Sequence, residues 1–278
     1  MSAPTLRIAT WNVNGLRARA ARVGAWLDAT QPDVVVLQET KCDPTQIPEG
    51  LFSSRSYEVA AIGAGGRNGV LIASRHGLSD VRESIAAYAP PDVDASLPDL
   101  LSEPRLISAV TAGLRIASVY APNGREVDAP HFHAKLHWYG ALRAWAAEQI
   151  ADAAPLVLGG DFNVAPSDAD VWDPAALVGA THVTERERTA WHRLLELGLV
   201  DAAAQAAAPG ERAPFTWWDY RGGAFHRGWG MRIDHLLVDP RAGSIVASSV
   251  DREGRKGESP SDHAALTIDL VQIGRAHV

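Results

Sequence analysis

The 278-residue chain sets 26 lysines and arginines against 33 acidic residues, a net charge of −7, with 46% hydrophobic and 21% charged residues. That balance excludes a disordered segment and argues against a protein that coats nucleic acid by bulk positive charge. Cys42 is alone and cannot form an internal disulfide, no charged-then-apolar leader opens the chain, and no apolar run is long enough to span a bilayer, so the expected setting is the cytoplasm.

LRIATWNV (6–13) reads as a strand. RARAARVGAWLDAT (17–30) follows as a helix, with Ala18, Val23, Trp26 and Leu27 near helical spacing and Pro32 closing it. DVVVLQE (33–39) is a short buried strand. YEVAAIG and GVLIAS (57–63 and 69–74) are strands joined by the glycine-rich AGGRN (64–68). The proline-rich stretch 88–104 reads as a surface excursion. LISAVTA and LRIASVYAP (106–112 and 114–122) are again strands, and 131–150 a helix. APLVLGGDFN (154–163) is a strand running into a loop. Thr184 and Glu187 have capping-box spacing ahead of Trp191, Leu194 and Leu195, and Gly198 is placed to stop that helix. RIDHLLVD, SIVASSVD and HAALTIDL complete the strands. Strands outnumber helices and many are joined by short links, which favours packed sheets with outer helices. A single domain over 1–270 is expected. The tail 271–278 is expected to be non-native or disordered, because IGRAHV back-translates to sequence resembling a library adapter.

Polar candidates stand at the ends of apolar runs: Asn12 after LRIATW, Glu39 after VVVLQ, Asp161 and Asn163 after LVLGG, Asp234 before HLLV, and Asp262 with His263 before the last strand. Any one of these reads equally as a turn residue or cap. Together they are too many strand-end carboxylates for turns alone. Carboxylates with amide oxygens suit a hard cation such as Mg²⁺ or Mn²⁺. Zinc lacks its signature, since the ten histidines show no HExxH and the cysteine has no partner.

TWNVNGLR (10–17), LQETKC (37–42), YAPNG (120–124), GGDFNVAP (159–166), FTWWDYR (215–221), RIDHLL (232–237) and PSDHAAL (260–266) run in one order along nearly the whole chain. In that order they resemble the exonuclease III family of apurinic/apyrimidinic endonucleases, within the endonuclease/exonuclease/phosphatase superfamily. The resemblance implies an α/β fold of four layers, two packed mixed sheets flanked by helices as in DNase I. It implies Mg²⁺-dependent cleavage of the DNA backbone 5′ to an abasic site, with possible 3′→5′ exonuclease and 3′-end-cleaning activity, by a monomer acting on double-stranded DNA. By motif, Glu39 is the principal metal ligand, with Asn12, Asp161, Asn163, Asp262 and His263 around the ion. Asp161 would activate the attacking water, Asn163 would position it, and Tyr120 would contact phosphate oxygens. His263, paired to Asp234, would donate to the phosphate. Lys135 matches, more loosely, a lysine near the scissile phosphate. Arg67 and Asn68 of the glycine loop, with Asn123 and Arg125 after Tyr120, are candidate DNA contacts.

The segment 214–235 holds Trp217, Trp218 and Trp229 among glycines and cations. An abasic sugar flipped from the helix fits an aromatic pocket that a full nucleotide does not enter. Trp217 is expected to form one wall, with Trp229 or Met231 facing it, and Arg221 and Arg227 near flanking phosphates. Trp218 is expected to point inward, because neighbours on an extended segment face opposite ways. Two other readings compete: a superfamily phosphatase acting on inositol phosphates or sphingomyelin, and a non-catalytic DNA-binding module.

Overall fold

A computed structural model describes residues 5–91 and 94–272. The continuous apolar runs become strands covered on both faces. In β1 (Thr5–Asn12), Leu6 and Ile8 enter the core between the sheets, while Ala9 and Trp11 turn to the opposite side. In β2 (Val34–Gln38), Val34 and Val36 alternate likewise with Val35 and Leu37. With β3 (Glu58–Ile62) and β4 (Val70–Ser74) they form most of the first sheet.

The second sheet gathers β5 (Ser79–Glu83), β6 (Leu106–Thr111), β7 (Leu114–Tyr120), β8 (Leu156–Asp161), the two-residue β9 (Val200–Asp201) and, after a short ribbon of β10 (Trp217–Trp218) and β11 (Gly230–Met231), β12 (Asp234–Val238). β13 (Ser244–Val250) and β14 (Leu266–Val271) return to the first. The orders are β13-β14-β1-β2-β4-β3 and β5-β6-β7-β8-β12-β9. Both sheets are mixed, since β1–β2 and β7–β8 are parallel while their other pairings are antiparallel. Helix α1 (Ala20–Thr30) covers the first sheet with Val23, Trp26 and Leu27. Helices α2 (Pro130–Ala151) and α3 (Glu185–Leu195) cover the second with Trp138, Tyr139, Trp145, Trp191 and Leu194. The short α4 (Ala202–Ala206) and α5 (Ala224–Arg227) lie in connections. The result is the expected four-layered sandwich.

Gly159 lets the sheets close just before the polar end of β8. A β-carbon there would stand 2.8 Å from both Val36 of the first sheet and Leu236 of the second. A buried arginine then ties down the segment beyond β8. Arg232 donates to Asp170 at 2.6 Å and to Asp201 at 2.5 Å, and all three side chains are buried. Arg232→Met would leave two buried carboxylates without their cation. It is expected to lower unfolding stability by about 3–5 kcal/mol in urea titration, and a loss under about 1 kcal/mol would contradict this assignment.

Several sequence expectations change. The proline-rich excursion is not free on the surface: Leu100 is buried and Leu97 and Leu101 pack beside it on the core under α2. β5 escaped notice because all five of its residues are exposed and it lacks apolar alternation. The first turn of the 17–30 helix is a 3-10 turn over Arg17–Arg19. β14 runs to Val271, which pairs with Thr5, and Gln272 donates to the Ala112 carbonyl at 2.8 Å. The ordered fold therefore passes residue 270, and the remainder of the expected tail, 273–278, lies outside the described residues.

Candidate active site

Strand register assembles the site. Asp161 stands opposite Tyr120 on β7 and opposite Asp234 on β12. Asn12 ends β1 beside Gln38, so Glu39 follows at the same edge. A bridge between Trp217 and His263 brings in the β10 ribbon. Asn14, Glu39, Lys41 and Asn163 all have left-handed backbone, with φ of 47°, 48°, 51° and 51°. Non-glycine residues in that region are strained and tend to gather where a fold presents functional groups.

At the centre, Glu39, Asp161 and His263 each offer one potential ligand atom, all within 4.8 Å of one another. Asn12 donates its amide to Glu39 and to Asp161, both at 2.9 Å. As placed, it braces the two carboxylates with its N–H. His263 lies between carboxylates, with Nδ1 2.9 Å from Asp234 and Nε2 3.7 Å from Asp161. Burial alone would lower its pKa, but Asp234 and Asp161 outweigh burial and raise it to about 10. The ring is then an imidazolium with N–H at both nitrogens. In that state it suits the phosphate-donor role expected for it. Asp234 is fully buried, with its carboxylate paired to that ring.

Burial, with the Asp234 and Glu39 charges, pushes the Asp161 carboxyl up to about 7 against the pull of His263 and Asn12. Glu39 and Asp262 move the other way: burial would raise both, but Asn12 and Lys41 hold Glu39 low, and His263 and Trp217 hold Asp262 low. Four carboxylates thus face one imidazolium and the Lys41 ammonium, which sits 2.9 Å from Glu39. The set is oxygen-rich and short of positive charge, which fits a hard divalent cation.

Several residues had no assigned role in the sequence. Asn14 donates to Asp262 at 2.9 Å, accepts from Lys41 at 2.5 Å and reaches Asn12 through its backbone N–H. Both Asn14 and Lys41 lie inside recognised motifs, and that proximity was the available signal. His182 is buried between Asn123 and the Asn163 carbonyl. Burial and the nearby Lys135 lower its pKa to about 4, so it is neutral.

Lys135 is not at the surface. It is completely buried and paired with Glu187 at 2.5 Å. A direct phosphate contact is therefore replaced by a position behind the site. Tyr120 borders a cleft of about 380 Å³ that also gathers Arg67, Asn68, Asn123 and Arg125. Arg67 is 79% exposed there and 3.5 Å from Glu103.

The tryptophan segment is a two-stranded ribbon with a short helix. Trp217 pairs with Met231 and packs with it beside Val171 and Val183. Its Nε1 also donates to Asp262 at 3.1 Å. Trp218 turns inward against Phe225, as expected from alternation. Met231 is the residue facing Trp217. Trp229 instead stacks on Trp172 with centroids 4.8 Å apart, and Arg227 lies 4.5 Å from its ring centre. Arg221 is exposed.

The model of the Endonuclease/Exonuclease/phosphatase family matches residues 9–263, and the chain belongs to that family. Exodeoxyribonuclease III of Haemophilus influenzae is 28% identical over 95% of this chain and all of its own length. Exodeoxyribonuclease of Bacillus subtilis is 29% identical over 84% of this chain and 88% of its own. Among solved structures, the 3′ phosphatase NExo from Neisseria, bound to a product DNA hairpin, superposes with a TM-score of 0.87 at 38% identity, covering 95% of this chain and 99% of that one. An AP endonuclease from Archaeoglobus fulgidus gives 0.85 at 36% identity with the same coverage.

Proposed function

We infer that this chain is a metal-dependent DNA-repair nuclease that hydrolyses the backbone 5′ to abasic sites in duplex DNA and clears blocked 3′ ends. The observation that carries the reading is the cluster of Glu39, Asp161 and His263 at one edge of the sandwich. Likeness along the full chain to exodeoxyribonucleases, to an AP endonuclease and to a 3′ phosphatase supports DNA as the substrate. No helix among the described residues is long and apolar enough to cross a membrane. The protein is taken to work as a monomer.

Mg²⁺, with Mn²⁺ as a substitute, would be held by Glu39 and Asp161 with Asn163 and Asp262 near it, and would polarise the phosphate when bound. The remaining chemistry belongs to the chain. Asp161, at the centre of the site beside His263, is placed to take the proton of the attacking water. The His263 imidazolium stays charged at neutral pH and donates to the phosphate as negative charge develops. Asp234 fixes the ring and keeps it charged.

A panel of substrates tests the reading. Purified protein with Mg²⁺ should act on duplexes carrying a tetrahydrofuran abasic analogue or a 3′-phosphate. Release of phosphate from an inositol polyphosphate, with neither DNA cut, would move the chain to the other branch of its family.

The sugar pocket is tested by Trp217. Trp217→Ala is expected to reduce abasic cleavage about tenfold more than removal of a normal 3′ nucleotide. Because the indole also holds Asp262, Trp217→Phe serves as control: it keeps the ring and removes the N–H. Equal losses on both substrates in Trp217→Ala would refute the pocket.

A further inference from the structure

We propose that the buried Lys135–Glu187 pair is a positioning device that sets Asn163 and Asn123 at the catalytic edge; the inference rests on the nuclease reading above. Lys135 projects from α2 and Glu187 from the first turn of α3, and neither side chain has any exposed surface. All three ammonium protons are used: toward Glu187 Oε1 at 2.5 Å, the Asn163 carbonyl at 2.7 Å and the Asn123 carbonyl at 3.3 Å. Nothing is left on Lys135 for a phosphate.

Glu187 serves more than one loop as well. It closes the capping box with Thr184 and also accepts from the Thr181 hydroxyl at 2.8 Å and the His182 backbone N–H at 3.0 Å. His182 in turn places Nδ1 2.7 Å from the Asn163 carbonyl and Nε2 3.4 Å from the Asn123 amide. Neutral His182 satisfies both contacts in one tautomer, donating from Nδ1 and accepting at Nε2. The Asn123 loop packs directly on this network: a β-carbon at Gly124 would stand 3.1 Å from both Lys135 Cδ and Thr181 Oγ1.

The two carbonyls so held belong to residues that face the chemistry. Asn163 sits in the left-handed region at φ 51°, and its backbone N–H donates to Asp161 at 2.9 Å. Its side chain donates to the Ala121 carbonyl at 2.9 Å, next to Tyr120, and lies 3.4 Å from the Asn123 amide. The pair thus pins a strained residue whose own bonds orient Asp161. Stability alone does not require an ion pair here, since well-packed apolar residues often replace a buried pair without loss. What apolar replacements cannot supply is three directed N–H donors.

Lys135→Met/Glu187→Met, Glu187→Gln and the wild type are compared on a 3′-phosphate duplex and on an abasic duplex with Mg²⁺. The double variant is expected to melt lower than wild type, since the Thr184 capping box and the His182 N–H lose their acceptor, and the folded protein to lose about 50-fold in kcat with KM within about 3-fold. In Glu187→Gln, the Asn163 amide should exchange with deuterium faster than in wild type, and kcat should fall about tenfold. Should the double variant fail to fold, Glu187→Gln decides by those two readouts. A folded double variant with kcat within about 3-fold of wild type would overturn the proposal. So would wild-type kcat and Asn163 exchange in Glu187→Gln, or a loss confined to KM. A wild type inert on both duplexes would count against the nuclease reading instead, while the amide exchange still reports on the positioning.

Discussion

Asp161→Asn is expected to lower kcat by about 10³-fold while the protein remains folded. The substitution keeps the size and the hydrogen-bonding reach of the side chain but removes the carboxylate proposed as the base, which burial and the Asp234 charge raise to about 7. It also removes one of the charges that hold His263 as an imidazolium. A second readout separates catalysis from stability. The Asp161 pKa is raised in the fold, so the residue favours the folded state only while protonated. That contribution is complete below the ordinary carboxylate pKa, near 4, and is lost as pH rises through about 7. Without a divalent cation, Asp161→Asn should therefore melt higher than wild type at pH 8, by a margin that shrinks toward pH 4. Turnover within about tenfold of wild type would remove Asp161 from its role, as would a variant that melts lower at pH 8.

Asp234→Asn should cost about 10²-fold or more in kcat, although Asp234 is buried and touches no substrate. Its carboxylate accepts the Nδ1 proton of His263 at 2.9 Å and is the largest influence raising that ring's pKa. With that charge gone, burial meets less opposition and the His263 pKa falls. A buried aspartate that fixes a catalytic imidazole in other hydrolases has an effect of this order or larger. The sign of the pH dependence follows. Wild type keeps its donor through neutral pH, whereas the variant should lose residual activity as pH rises past the lowered His263 pKa. Activity within about 3-fold of wild type, or an unchanged profile on the alkaline side, would show that the pair is dispensable.

Much of this arrangement was legible because the central strands of both sheets are buried on two faces. Runs such as VVVLQ and LVLGG can only be covered strands, and the carboxylates that follow them fall at one edge of the sandwich. Asp161 and Asp234 could each be placed at a strand end, and register then set them directly opposite. What stayed hidden depended on partners distant in sequence or on backbone turns. Lys135 read as a phosphate contact because its counter-charge lies 52 residues on, in a residue that reads only as a helix cap. Asn14 and Lys41 enter the site through left-handed turns that local composition does not announce. Trp229 turned away from the expected wall because Trp172, in a connection without regular pattern, offers it a stacking face.

The most direct test of the central claim is a cleavage measurement on metal-stripped protein with a duplex carrying one tetrahydrofuran site or one 3′-phosphate. No product is expected in EDTA, and Mg²⁺ should restore incision or phosphate release by at least about 10³-fold. Undiminished cleavage in EDTA, or no action on either duplex with Mg²⁺ present, would contradict the account.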